Sequence, residues 1–173
     1  MPAIFQISDW PSAAVQEILA ESEREGFCFV RRAAEEWTSG ANRFSKEDEA
    51  FFGVFERDRL VALAGINRES EHRGRLRRFY VRREARRMGI GGQLLRHVLA
   101  FAARHYTEVV LRCDTGAADS FYCVQGFSRA DSEGNITHWI QLRETPNQLP
   151  GPTSPSVTPP AWAGGAPFVA ADH

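Results

Sequence analysis

Apolar positions along this chain change their period several times, and each change predicts an element. Residues 4–7 are a short apolar run that reads as a strand. Ala14, Val15, Ile18 and Leu19 then recur at the spacing of one helical face. Ser8 or Asp9 offers that helix an N-cap, Pro11 suits its first turn, and Gly26 ends it. Residues 27–30 read as a short strand or an extended lead-in, residues 33–37 as helix and residues 38–42 as loop. Two apolar runs, 50–55 and 60–66, flank the polar turn Glu56-Arg57-Asp58-Arg59 and predict a hairpin. A polar loop over residues 67–74 leads into the β-rich run 76–81. Ile90, Leu94, Leu95, Val98, Leu99 and Ala102 mark one face of a helix reaching about His105. Residues 108–113 predict a buried strand, and residues 117–125 a short helix stopped by Gly126. Two strands, 127–130 and 137–142, close the pattern across Ser132-Glu133-Gly134-Asn135.

The order is strand, helix, a run of antiparallel strands, strand-turn-helix, strand-helix and two strands. That is a mixed α/β chain, neither a regular βα repeat nor an all-β sandwich. The pattern ends sharply after Thr145. Residues 146–173 hold seven prolines, three glycines and one charged side chain, Asp172. Proline fixes φ and removes a backbone donor, so this stretch reads as a disordered or extended tail carrying Trp162 and Phe168. A folded domain over residues 1–145 is expected, and 173 residues are enough for one core.

Composition narrows the classes. With 43% apolar and 25% charged residues the chain resembles an average globular protein. A net charge of -1 gives no overall pull toward nucleic acid or an anionic membrane. Charge is nonetheless uneven, because nine arginines fall between Arg68 and Arg87 against Glu69, Glu71 and Glu84. Cys28, Cys113 and Cys123 are odd in number and widely spaced, which argues against a disulfide framework or a zinc site and for a reducing compartment. No apolar stretch approaches the about 20 residues a spanning helix needs. The N-terminus lacks the basic-then-apolar order of a secretory signal, so a cytoplasmic address is expected.

The segment Arg86-Arg87-Met88-Gly89-Ile90-Gly91-Gly92, between a strand and a helix, carries the clearest chemistry. Glycines permit positive φ and close approach of backbone to a ligand, and a helix start presents free N–H groups and the positive end of its dipole. Together they suit phosphate. A nucleoside-triphosphate loop needs Gly-Lys-Ser/Thr, but Gln93 and Leu94 follow Gly92. A dinucleotide fingerprint needs a third glycine where Leu94 stands. The pattern Arg/Gln-x-x-Gly-x-Gly/Ala is met in full by Arg86 to Gly91.

That pattern resembles the GNAT superfamily of N-acetyltransferases. The likeness extends to Tyr80-Val81-Arg82-Arg83-Glu84-Ala85 and Gln93-Leu94-Leu95, and again to Ala118-Asp119-Ser120-Phe121-Tyr122-Cys123-Val124-Gln125-Gly126-Phe127, similar to the family's helix ending in Phe-Tyr-x-x-x-Gly-Phe. The resemblance implies a central, mostly antiparallel mixed sheet flanked by helices, and acetyl-CoA as co-substrate with no metal. It implies a splay between the strand at 76–81 and the strand at 108–113. Pantetheine would lie there against backbone of Phe79, Tyr80 and Val81, with pyrophosphate held by backbone N–H groups of Arg87, Met88, Gly89, Ile90, Gly91 and Gly92, and Arg86 also counted among the cofactor-binding residues. An amine, on a small molecule or a protein, would attack the thioester directly. Tyr122 matches the family's general acid, and a phenol is close in pKa to an alkanethiol. Two positions depart from the family pattern: Arg83 stands where a proline is common, and Asp114-Thr115-Gly116 where an asparagine is common.

Other residues carry weaker signals. Glu71, His72 and His138 are the nearest candidate bases, each read first as an ordinary surface residue, with His138 favoured because its strand borders the acceptor side in the resembled fold. Asn42, Arg43, Phe44 and His138 are the candidates for contacting the acceptor. The arginine cluster reads mostly as a solvated basic strip, with some members able to meet phosphates or an acidic acceptor. With no paired histidine evident, Cys113 and Cys123 read as small buried hydrophobes rather than acyl carriers. A non-catalytic acyl-CoA sensor and a basic nucleic-acid binder are the competing classes, the second disfavoured by the balanced charge. A homodimer stays open.

Overall fold

Among the described residues, seven strands form one sheet in the order β1-β2-β3-β4-β5-β7-β6. They are β1 (Ala3–Gln6), β2 (Ala50–Glu56), β3 (Arg59–Arg68), β4 (Arg73–Val81), β5 (Glu108–Leu111), β6 (Ser128–Glu133) and β7 (Ile136–Gln141). Helices α1 (Ser12–Arg24), α2 (Phe29–Ser39), α3 (Ile90–Ala102) and α4 (Gly116–Val124) flank it, and a 3-10 turn, Arg83–Ala85, precedes α3. Every neighbouring pair is antiparallel except β4 and β5. This computed structural model describes residues 2–10 and 12–142. The place of Pro11 and the proline-rich tail with Trp162 and Phe168 lie outside the described residues.

Two cores lie on opposite faces of the sheet, and period-two alternation sorts residues between them. On β2, Phe52 and Val54 face the core filled by Leu94, Leu95 and Val98 of α3 and Tyr122 of α4. Phe51 and Phe55 face the core built with Val15 and Ile18 of α1 and Val30 and Trp37 of α2. Strands covered on both faces need apolar residues at nearly every position, hence the unbroken runs in β2 and β3. Gly65 of β3 is required by packing: a Cβ there would lie 2.3 Å from the Phe44 ring.

One irregularity positions the site. Leu63 pairs with Tyr80 but Gly65 pairs with Arg77, so β4 spends one residue more than β3 over this step. Arg78 takes a left-handed φ of 58° at that bulge. The extra residue reverses the facing of the remainder of the strand. Leu76 packs with α3, Tyr80 packs with α1 and α2, and Phe79 and Val81 turn to the α3–α4 side.

Three expectations are corrected. Residues 27–30 do not form a strand: α2 begins at Phe29, because Val30, Ala33 and Trp37 share a buried helical face. The polar loop shrinks to residues 69–72, since Arg68 pairs with Gly74 and Asn67 with Arg75. The arginine cluster is a solvated strip only in part, because three of its members are buried in ion pairs. Arg75 binds Glu69 at 2.8 Å, Arg78 binds Glu36 of α2 at 2.7 Å, and Arg82 binds Glu17 and Glu21 of α1 at 2.7 and 2.9 Å. These three guanidinium side chains are all under 10% exposed; Arg78 and Arg82 clamp α2 and α1 onto β4, and Arg75 ties down the β3–β4 turn. Arg68, Arg77, Arg83, Arg86 and Arg87 are exposed.

Candidate active site

β4 and β5 part company soon after they meet. Their pairing covers only Arg73, Gly74 and Arg75 against Glu108, Val109 and Val110. β4 continues to Val81 with no strand on that side among the described residues, while β7 occupies the other edge of β5 along its whole length. The result is a fork whose β4 wall is open backbone. Phe79 stacks near Phe121 and Tyr122 of α4, with ring centroids 5.6 and 5.9 Å apart. Tyr80 is directed away: it is buried on the other face and its hydroxyl donates to Glu21 at 3.3 Å. Only its backbone is available to a ligand in the fork.

The open wall leads to the glycine turn. Gly89 caps α3 with a left-handed φ of 81°, and Arg87 is left-handed at 64°. Gln93 N–H closes the first helical bond onto the Gly89 carbonyl. Among the described residues, the N–H groups of residues 87–92 have no hydrogen-bond partner. A run of free donors at the positive end of a helix is an anion cradle. Gly91 approaches Val81 and Phe121, and Ile90 is buried beneath the turn. Arg87 and Met88 point outward, Met88 being 62% exposed. Arg86 turns inward: it donates to the Val81 carbonyl at 2.8 Å and to Glu25 at 2.6 Å, and lies 5.5 Å from the Tyr80 ring centroid. Its guanidinium therefore braces the turn against β4 and α1.

Tyr122 sits at the α4 side of the fork, 6% exposed, among Phe79, Phe121, Phe127 and His138. Its hydroxyl makes no hydrogen bond to another described residue. Burial pushes its pKa upward, so it holds its proton well into alkaline solution.

His138 differs from the expectation. It is not a surface residue but is 2% exposed, carried by β7 to a position opposite Leu111. Its Nε2 lies 3.1 Å from Asp119 Oδ1 and 3.8 Å from Cys123 Sγ, and its Nδ1 lies 3.0 Å from Thr137 Oγ1 and 3.6 Å from Cys113 Sγ. The two cysteines thus do have a paired histidine, which corrects their reading as inert hydrophobes. Asp119 accepts two bonds from Arg129, at 2.7 and 2.6 Å, which with its other partners hold its carboxyl down at about 2. Asp119, Cys123 and His138 have donor atoms within 4.8 Å of one another. The Arg129 guanidinium, already seated on Asp119, would repel a cation placed there.

The remaining candidates lie apart. Glu71 and His72 occupy the exposed turn before β4, at the paired end of the strand, about 30 Å of extended chain from Val81. Asn42 exchanges two hydrogen bonds with Asn67, Arg43 donates to the Trp37 carbonyl, and Phe44 is buried over Gly65. These three close a loop onto β3.

Comparison with known proteins gives this geometry a context. Residues 12–127 match the model of the acetyltransferase (GNAT) family. The chain belongs to the GNAT family. A crystal structure from Exiguobacterium sp. 255-15, described as an acetyltransferase, is 30% identical, with 82% of this chain and 93% of that chain covered at a TM-score of 0.73. A GNAT-family acetyltransferase from Staphylococcus aureus Mu50 shares the fold at 17% identity, 82% and 100% coverage and a TM-score of 0.67. So does the ribosomal-protein-S18-alanine N-acetyltransferase of Escherichia coli, at 17% identity, 87% and 100% coverage and a TM-score of 0.62. No curated protein sequence matches the chain. GNAT proteins transfer acetyl groups with acetyl-CoA as co-substrate, and the fork and anion cradle of this GNAT chain suit that co-substrate. Among the described residues, no helix is long and apolar enough to cross a membrane.

The sequence did not reveal the group formed by Cys113, Asp119, Thr137 and His138. One local signal existed: Asp119 and Cys123 are four apart on α4 and so share a face. Their meeting with His138 depends on the β5–β7 register, which no short window contains.

Proposed function

We propose that this chain transfers the acetyl group of acetyl-CoA to a primary amine, on a small molecule or a protein, by direct attack within a ternary complex. The observation that carries the reading is the fork between β4 and β5 opening onto a turn of unpartnered N–H groups. In this reading the pyrophosphate rests on the N–H groups of residues 87–92. Pantetheine runs along the open edge of β4, pairing with backbone of Phe79 and Val81. The thioester then sits between that edge and Tyr122, held in place for a bound amine. Tyr122 donates its proton to the departing thiolate. Burial that raises the phenol raises the thiol in the same apolar surroundings, so the two stay matched.

Calorimetric titration with acetyl-CoA, followed by a panel of amines with free-thiol detection, tests this. Saturable binding and amine-dependent release of CoA are expected. Failure to bind acetyl-CoA would overturn the reading, and tight binding without amine-dependent thiol release would make the chain an acyl-CoA sensor instead.

A further inference from the structure

The transfer proposed above leaves one reactive group of side chains unused. Cys113 lies two residues past the end of β5 and, like Phe79, packs against the core cluster that contains Tyr122. The His138 ring that its sulfur meets at 3.6 Å lies 6.0 Å from the Tyr122 ring, which puts the thiol on the Tyr122 side of the sheet, where the thioester is expected. Its thiol is pushed upward, chiefly by burial, so it rests as S–H.

The hydrogen-bond order around His138 decides which cysteine is the reactive one. Asp119 is an ionised carboxylate and can only accept. The His138 Nε2 facing Asp119 Oδ1 at 3.1 Å therefore carries the ring hydrogen, and in the neutral imidazole Nδ1 is the lone-pair nitrogen. Cys123 lies on the N–H side, away from the lone-pair nitrogen, beside an Asp119 carboxylate too weakly basic to take its proton. Cys113 lies 3.6 Å from Nδ1, on the basic side. Nucleophile, base and orienting carboxylate thus stand in the sequence Cys113, His138, Asp119, with Arg129 fixing the carboxylate. Thr137 shares Nδ1 at 3.0 Å, accepts the Cys113 N–H at 2.9 Å, and lies 3.8 Å from Cys113 Sγ. It holds the Cys113 backbone in place and can turn its hydroxyl to the sulfur once the thiolate forms.

We infer that Cys113 is an acetyl-acceptor site: with acetyl-CoA in the fork and no amine bound, the acetyl group passes to Cys113 Sγ. This rests on the acetyl-CoA reading of the fork. The Cys113 S–H proton moves to His138 Nδ1, and the sulfur attacks the thioester carbonyl carbon. The bond from that carbon to the coenzyme sulfur breaks, and the coenzyme thiolate takes the proton from the imidazolium. One thioester replaces another, with S-acetyl-Cys113 and free CoA as products, no oxidant or reductant needed, and the reverse step equally open.

The full chain is incubated with acetyl-CoA and isotope-labelled CoA without any amine. Label appears in acetyl-CoA, and intact mass shows one hydroxylamine-labile acetyl group that peptide mapping assigns to Cys113. Cys113→Ala abolishes exchange while retaining acetyl-CoA affinity, and Cys123→Ala keeps both exchange and adduct. His138→Gln slows exchange by about a hundredfold or more. An adduct mapped to another residue, or exchange surviving Cys113→Ala, overturns the proposal. Acetyl-CoA binding with neither exchange nor adduct overturns this step alone, whereas absence of binding removes the reading of the fork as well.

Discussion

Gly89 holds a left-handed φ of 81° directly beside the N–H groups that form the anion cradle. A β-branched residue there meets the left-handed penalty of about 1–2 kcal/mol and leans over the donors. Gly89→Val is expected to lower thermal stability by that amount and acetyl-CoA affinity by about tenfold or more, measured by calorimetry. Gly91 differs: an added Cβ would sit 3.4 Å from Val81 and 3.5 Å from Phe121, so alanine fits and only larger side chains intrude. Tyr122→Phe removes a hydroxyl that bonds no described residue, so the fold should stand. Turnover is expected to fall with acetyl-CoA affinity nearly intact, and unchanged turnover would remove the general-acid role. Asp119 titrates at about 2 against an ordinary 3.8, chiefly through Arg129. A depressed carboxylate stabilises the fold above its unfolded pKa, so this contribution is lost as pH falls from about 4 through about 2. Asp119→Asn should flatten that part of the acid-unfolding curve, and an unaltered profile would show that Asp119 does not drive it. Of these residues, Gly89 and Tyr122 were legible in the sequence because each belongs to a contiguous motif. Asp119 was not, since its partners Arg129 and His138 reach it only through tertiary structure.

At the scale of elements, the clamp between α1 and the end of β4 stands out. Arg82 is 8% exposed at its side chain and bridges Glu17 and Glu21, and Glu21 also accepts the Arg83 N–H at 2.7 Å. Removing the guanidinium leaves the nearly buried Glu21 carboxylate without its cationic partner, so Arg82→Ala should cost about 3 kcal/mol by denaturant unfolding. Arg82→Lys should recover only part, because a single ammonium cannot span both partners as the fork-shaped guanidinium does. A loss within experimental error of zero would mean that packing alone holds α1. β2, β3 and α3 were readable because burial on both sheet faces, or along one helical stripe, writes itself into residue spacing. The start of α2 was not. Phe27, Cys28, Phe29 and Val30 favour a strand locally, and the helix prevails because Val30 and Trp37 complete the core on that face. The bulge in β4 was equally hidden, since its left-handed residue is Arg78 rather than a glycine.

For the whole molecule, the two faces of the sheet divide the work. One face, covered by α1 and α2, is closed by aromatic packing and ion pairs, and the other, under α3 and α4, holds the fork. The outline of that division was legible, because the order of elements and two motifs pointed to one fold. The fork itself came from the short overlap of β4 with β5, which spacing alone does not encode. An unpaired strand edge is normally a hazard confined to the rim of a sheet. Here the bare edge past Arg75 lies in the middle of the sheet, where an extended ligand can pair with it as a strand would. The co-substrate would thus serve the chain as a removable eighth strand. Without it, the warmed protein should associate edge to edge at temperatures below its melting point, and CoA should suppress that light scattering in proportion to occupancy. Scattering indifferent to CoA would mean that α4 shields the edge unaided.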